Sequence, residues 1–190
     1  MNYRHEIETY IKREIDVLKK LDINAIDKVI NVLEEARAKN ADIYIFGNGG
    51  SAATASHYCC DFNKGVSRET NGNKYRFHCL SDNVPTMMAL ANDVAYEEIF
   101  REQLKGILNK DDLVIGISGS GNSANVVNAV QYAKEVGCKV IGITGYHGGK
   151  LRQLADYHLD AEIDDMQIAE DVHMIFDHLM MSVIRKSMTE

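Results

Sequence analysis

The sequence predicts an α/β fold, a three-layer sandwich in which a parallel sheet of about five strands lies between layers of helices. Short apolar runs rich in β-branched residues alternate with segments of helical periodicity. Strands that alternate with helices are usually parallel and buried on both faces. No linker or low-complexity segment interrupts the chain. We therefore expect residues 1–190 to form a single domain that begins with a pair of helices.

Each element follows from a local pattern. Apolar side chains recur every three or four positions in residues 4–20 and 24–38, which predicts two helices used in oligomer packing. Short apolar runs predict strands at 41–46, 75–80, 112–117, 139–144 and 157–163. Helical patterns predict helices at 51–62, 86–91, 96–108, 123–137, 148–155 and 165–187. Ser51 is the expected N-cap of the helix that follows the first strand.

Composition excludes several classes of function. The net charge is −7 and no basic stripe is present, so nucleic acid is not an expected partner. No charge-free apolar run reaches the length of about 18 residues that a membrane helix needs, and the first residues are too charged for a signal peptide. The four cysteines show no C-x-x-C spacing, so no structural zinc is expected on them. We interpret them as small buried hydrophobic residues of a protein in a reducing compartment. We expect a cytoplasmic protein with no membrane contact.

Two segments share one design: "IYIFGNGGSAATASHY" and "VIGISGSGNSANVVNA" each join an apolar strand to a small-residue loop and a helix. Loops at the carboxyl ends of parallel strands can face one ligand crevice. The first loop matches a relaxed dinucleotide fingerprint over residues 47–52, but Asp82 lies farther on than the usual spacing of about 20 residues. No nucleotide cofactor is expected.

The second loop, "SGSGNS" at residues 118–123, favours a phosphate monoester. It offers three hydroxyl groups and the backbone amides of a helix N-terminus, without a lysine or an arginine. A helix N-terminus carries unpaired N–H groups and a partial positive charge, so it binds phosphate without a basic side chain. A serine-capped turn would explain one of the serines, but not three.

Two helices carry titratable residues. Asp61 is four residues after His57, so both lie on one face of the helix that begins at the glycine loop. The C-terminal helix supplies His173, His178, Glu170, Asp171 and Asp177. Spacing aligns Asp171 with His178 better than it aligns Glu170, so both acids remain candidates.

The motifs "GNGGSAATASH", "ANDVAYEEIF" and "GISGSGNSANV" resemble the sugar isomerase (SIS) domain family, and within it the phosphoheptose isomerases. The resemblance runs along essentially the whole chain. It implies a flavodoxin-like sandwich and the conversion of sedoheptulose 7-phosphate to D-glycero-D-manno-heptose 7-phosphate through an enediol. It also implies a homotetramer with sites at subunit interfaces, where His178 could reach the loop of a neighbouring subunit.

The resemblance assigns roles to individual residues. It implies that the phosphate is held by Ser118, Gly119, Ser120 and Ser123. It implies that the rest of the substrate is bound by Asn48, Gly49, Gly50, Ser51, Asp61, Asn92, Asp93 and Glu170. The implied acid/base pair is Asp61 and His178. Some relatives bind zinc at this position, and the matching ligand set here is His57, Asp61, Glu170 and His178.

Three positions depart from the family pattern. Asp61 stands where relatives have glutamate, Gly119 where many have threonine, and Glu170 where many have glutamine. Aspartate is one methylene shorter than glutamate, and a displacement of about 1 Å can cost on the order of 100-fold in rate. The alternative function is therefore a non-catalytic SIS protein that binds a phosphosugar or regulates a partner. A dehydrogenase is a weaker alternative.

Overall fold

Five parallel strands form one sheet in this computed structural model, which describes residues 1–70 and 72–189. The strands are β1 (Ile43–Gly47), β2 (Phe77–Cys79), β3 (Leu113–Ser118), β4 (Lys139–Gly145) and β5 (Tyr157–Ala161). Their order in the sheet is β2-β1-β3-β4-β5. The chain direction across the sheet reverses between β1 and β3, and open α/β sheets bind ligands at such a switch point. The predicted fold class is confirmed.

Eight α-helices surround the sheet in the described part of the chain. They are α1 (Arg4–Leu18), α2 (Ile23–Ala38), α3 (Gly50–Cys60), α4 (Val84–Asp93), α5 (Arg101–Leu104), α6 (Ala124–Val136), α7 (Gly149–Leu154) and α8 (Met166–Thr189). A π-helix, Asp61–Val66, continues α3. No helix among residues 1–70 and 72–189 combines the length and apolar content needed to cross a bilayer.

The side chains of each strand alternate between two apolar cores. Ile43 and Ile45 of β1 face a core that also contains apolar residues of α2, α3 and α8. Tyr44 and Phe46 face a second core formed with α5, α6 and α7. All five residues of β1 and all six of β3 are buried. This burial on both faces explains why these strands are almost continuously apolar.

The structure differs from the sequence prediction at three places. The helix predicted at 96–108 is a 3₁₀ turn (Tyr96–Glu98) followed by α5, and Gly106 beyond it has a φ of 78° that is incompatible with a continuing helix. Ser51 is not an N-cap: α3 begins at Gly50 after Gly49, whose φ is 55°. The predicted helix 51–62 continues to Val66 because the chain changes to π-helical geometry at Asp61.

Candidate active site

The two similar loops meet across the switch point of the sheet. Asn48, which follows β1, and Asn125, in the first turn of α6, each donate a side-chain hydrogen bond to the other at 2.9 Å. The Tyr96 hydroxyl also donates to Asn48 Oδ1, at 3.0 Å. Asn125 and Tyr96 were not among the predicted site residues. The signal available from the sequence was an asparagine two residues after the serine loop, in the first turn of the predicted helix.

The turn between β1 and α3 depends on glycine for its shape and for the approach of α8. Gly49 adopts a positive φ, which favours glycine. A Cβ atom on Gly50 would lie 2.5 Å from a carboxylate oxygen of Glu170, so Glu170 packs directly against this turn. An anion at a helix N-terminus is electrostatically favourable. Asp171 instead accepts a hydrogen bond from the Tyr10 hydroxyl of α1. Geometry thus separates the two acids that spacing left open.

The serine loop between β3 and α6 presents hydroxyl groups and no charged side chain. Ser118 is buried, and its Oγ lies 3.0 Å from the Oγ of Ser123. The Ser123 side chain makes no capping hydrogen bond to α6, although Ser123 is the N-cap residue. Ser120 is exposed, and its Oγ accepts a hydrogen bond from the Asn122 backbone at 3.2 Å. The loop therefore places three serine hydroxyl groups beside the N-terminus of α6.

Gly119 is the member of this loop that departs from the family pattern. A Cβ on Gly119 would lie 2.5 Å from the sulfur of Met166, the first residue of α8. The space beside Gly119 is therefore filled by a thioether. A flexible methionine can move away from an added side chain at small cost.

Asn92 and Asp93 are the last two residues of α4. Both are exposed at the end of α4, and the Asn92 side chain donates to Asp93 at 2.7 Å. The link between this segment and the loops is Tyr96, through its bond to Asn48.

Three of the predicted catalytic and metal-binding side chains converge. His57 Nε2 lies 3.1 Å from His178 Nε2 and 3.5 Å from Asp61 Oδ2. Asp61 Oδ2 lies 3.9 Å from His178 Nε2. The contact between the histidines joins α3 and α8 of one chain, so His178 does not need a neighbouring subunit to reach His57. Both imidazoles are partly exposed, which leaves the cluster open to a ligand.

Asp177 is the fourth member of the cluster, and it was not among the predicted site residues. Its Oδ2 lies 4.0 Å from His57 Nε2, and its side chain is fully buried. Neither carboxylate oxygen has a hydrogen-bond partner among the described residues. Burial, and then the nearby Asp61, raise the pKa of Asp177 to about 8. The signal available from the sequence was an acid inside the apolar run "MIFDHLMM".

The cluster has the composition and size of a metal site. One ligand atom from each of His57, Asp61, Asp177 and His178 lies within 4.8 Å of the other three. Atoms this close share a point within about 3 Å of each, and small side-chain movements reduce this to the zinc–ligand length of about 2.0–2.2 Å. The buried, unpartnered carboxylate of Asp177 fits such a role, since buried charges are normally paired or coordinate metals. Glu170 lies outside the cluster.

Comparisons with known proteins show the family of the chain. The chain is 35% identical to the phosphoheptose isomerase of Aliarcobacter butzleri over 84% of its length and 83% of the relative. It is 31% identical to a probable phosphoheptose isomerase of Thermoplasma volcanium over 94% of its length and 90% of the relative. A solved phosphoheptose isomerase from Francisella tularensis superposes with a TM-score of 0.88 at 25% identity, covering 98% of this chain and 100% of the other. The SIS domain model matches residues 3–145, and the chain therefore belongs to the SIS domain family.

Proposed function

We propose that this protein is an aldose–ketose isomerase that converts sedoheptulose 7-phosphate to D-glycero-D-manno-heptose 7-phosphate. The observation that carries the proposal is that His178 of α8 meets His57 and Asp61, which lie along the helix that follows one of the two facing loops. The names of the similar proteins give the substrate class. The whole chain, residues 1–190, would act as one SIS domain.

The serine loop would hold the phosphate. Ser118, Ser120 and Ser123 offer hydroxyl groups and Gly119 offers backbone, all next to the N-terminus of α6. Asn48, Gly49, Gly50 and Ser51 would contact the sugar from the facing loop, as would Glu170, which lies against Gly50. Asn92 and Asp93, at the end of α4, would contact the sugar beside the Tyr96–Asn48 hydrogen bond.

Asp61 and His178 would form the acid/base pair. Isomerisation removes a proton from C1 of the ketose and returns one to C2, while a proton moves from the C1 hydroxyl to the C2 oxygen. The atoms of substrate and product balance without an oxidant. The carboxylate of Asp61 and the imidazole of His178, 3.9 Å apart, can share these transfers across one sugar carbon–carbon bond. The π-helix that begins at Asp61 supplies the backbone shift that sets the position of this short acid.

His57, Asp61 and His178 would hold a zinc ion, for which Glu170 was the fourth ligand implied by the resemblance. When bound, zinc supplies Lewis-acid polarisation of the substrate carbonyl. Mixed imidazole and carboxylate ligands are typical of zinc sites that also keep a position for substrate.

The assembly and location are also proposals. The exposed side of α1 carries Ile7, Ile11 and Ile15, which are 57%, 50% and 44% exposed. An apolar stripe of this kind supports packing against other copies of the chain, here in a homotetramer. All four cysteines are free thiols, which supports a cytoplasmic location.

The test is exchange at carbon. The purified full chain is incubated with sedoheptulose 7-phosphate in deuterated water, and both products and deuterium at C1 and C2 are followed by NMR. We expect the aldose to form, with either deuterium from solvent or the transferred proton at C2. We expect His178→Ala to show neither aldose formation nor deuterium exchange. Saturable binding of the phosphosugar with no interconversion would instead support the non-catalytic alternative, which the short Asp61 favours.

A further inference from the structure

We propose that Asp177 is the fourth side-chain ligand of the metal ion, in the position that the resemblance gives to Glu170. This inference rests on the proposed function, because it concerns the same site. It predicts that the chain binds its cation through two imidazoles and two aspartates. Glu170 then belongs to the substrate side of the site.

The first argument is the lack of any structural partner for Asp177. Its side chain has no exposed surface, and both of its oxygens lack hydrogen bonds within the described part of the chain. A carboxylate in such a place is unfavourable unless a cation or a proton neutralises it. The titratable side chains beside it are His57 and another acid, Asp61. A divalent cation is the ligand that would compensate two carboxylates at once.

The second argument is the direction from which Asp177 enters the cluster. Asp177 and His178 are adjacent on α8, and adjacent helix residues project about 100° apart. Asp177 therefore approaches from the buried side, whereas His178 is 55% exposed and approaches from the solvent side. His57 and Asp61 join them from α3 and its π-helical continuation. One ligand from the buried side and one from the partly exposed side can hold a cation and still leave part of the solvent side open for substrate.

The third argument is the position of Glu170. Its carboxylate packs against Gly50 at the first turn of α3. His57 and Asp61 lie two to three turns farther along the same helix. Glu170 and Asp177 are seven residues apart on α8, which corresponds to about 10 Å along the helix axis. The two acids thus serve opposite ends of the site, and Asp177 is the one that shares a cluster with the histidines.

A second carboxylate would also compensate for the short side chain of Asp61 in holding the cation. A glutamate reaches farther into a site than Asp61 does, so a site with aspartate alone would hold its cation more loosely. Asp177 adds a ligand and a negative charge from the buried side. The site then contains two nitrogen and two oxygen donors, a set suited to zinc and to cobalt(II).

The experiment measures metal binding without activity. The full-length protein is stripped with chelator and titrated with Zn²⁺ or Co²⁺ alone, using metal analysis after desalting and the visible cobalt spectrum. We expect one ion per chain in the wild type and at least 10-fold weaker binding in Asp177→Asn. The matched control, Glu170→Gln, should keep wild-type affinity and the wild-type cobalt spectrum. Asp177→Leu, which suits a buried position, serves if the asparagine variant does not fold.

Several outcomes would overturn the assignment. They are wild-type metal affinity and cobalt spectrum in Asp177→Asn or Asp177→Leu, loss of metal in Glu170→Gln with Asp177 intact, and no metal uptake by the wild type. Isomerisation is assayed separately, so the two proposals can fail independently. An active wild type whose Asp177 variants bind metal normally would contradict this inference alone. An inactive wild type whose Asp177 variants lose the metal would contradict the proposed reaction alone.

Discussion

The β1–α3 and β3–α6 units have the same design but carry different chemistry. Each consists of a buried strand, a glycine- and serine-containing loop and a helix, and the two loops are joined by the Asn48–Asn125 pair. The β3–α6 loop has hydroxyl groups and backbone amides, with no titratable side chain. The β1–α3 unit has a plain glycine turn, and its helix carries His57 and continues to Asp61. We therefore propose that phosphate binding and proton transfer belong to different copies of one motif.

This division explains what a mutation in each unit should change. A neutral hydroxyl that contacts a phosphate throughout the reaction contributes to substrate binding in ground state and transition state alike, so its loss raises KM. An acid or base acts only as the proton moves, so its loss lowers kcat. A substitution that changes the wrong constant would contradict the assignment of that unit.

The largest effect is expected for His178→Ala. It removes the imidazole that lies 3.9 Å from Asp61 and 3.1 Å from His57. We expect kcat to fall by about 100-fold or more, the usual range for a lost acid or base. The measurement is steady-state conversion of sedoheptulose 7-phosphate. His5→Ala, at an exposed position of α1, is the control and should behave as wild type. A turnover unchanged in His178→Ala would rule out the acid/base role.

The next substitution tests whether the short side chain of Asp61 slows the reaction or suits this site. Asp61→Glu restores the side chain of the family pattern but adds a methylene to a carboxylate already 3.5 Å from His57. With Asp177 beside it, the longer side chain should misplace the acid by about 1 Å and lower kcat by about 10- to 100-fold. The steady-state assay is run with circular dichroism as a folding control. A faster Asp61→Glu enzyme would show instead that the natural aspartate limits the reaction.

The sequence predicted the fold and most of this division, for physical reasons. The strand and helix periods follow from burial, and the serine loop is recognisable because the residues proposed to hold its ligand are consecutive in one chain segment. The fourth member of the titratable cluster was not predictable in that way. His57 and Asp61 belong to one segment of the chain, and Asp177 belongs to a distant one. Whether Asp177 or Glu170 reaches His57 depends on how α8 packs against α3. The change to π-helical geometry at Asp61 also leaves no clear periodic signal.

In the serine loop, we expect Ser120→Ala to raise KM by about 10-fold, the effect of losing one hydrogen bond to a charged group. Ser120 is exposed, so its hydroxyl is free to reach a ligand while it accepts from the Asn122 backbone. The kcat value and the zinc content should remain near those of the wild type. A fall in kcat with unchanged KM would place this loop in the chemistry and remove the distinction between the two units.

The pH dependence of stability separates the units without substrate. The pKa of Asp177 is raised by burial to about 8, so the folded metal-free protein holds this proton more tightly than the unfolded chain. Its contribution to stability is complete below the unfolded pKa, near 4, and is lost as the pH rises to about 8, at about 1 kcal/mol per pH unit. Urea unfolding in chelator at pH 5–8 should show this slope, and Asp177→Asn should remove it. If the free energy of unfolding of the wild type and of Asp177→Asn changes with pH in the same way, the raised pKa of Asp177 is contradicted. Ser120→Ala is the control and should keep the wild-type slope.

The smallest effect is expected at Gly119, where the chain lacks the threonine of many relatives. A side chain here would meet the Met166 sulfur, which is the end of a flexible residue rather than backbone. Gly119→Thr should therefore fold and change KM by about 3-fold or less, because the added hydroxyl and the displaced thioether oppose each other. In Gly119→Thr with Met166→Ala, the hydroxyl has room and KM should fall below that of Met166→Ala alone. If the double variant and Met166→Ala have equal KM values, the added hydroxyl does not bind the phosphate. The serine hydroxyls and the α6 amides would then already use all of its accessible oxygens.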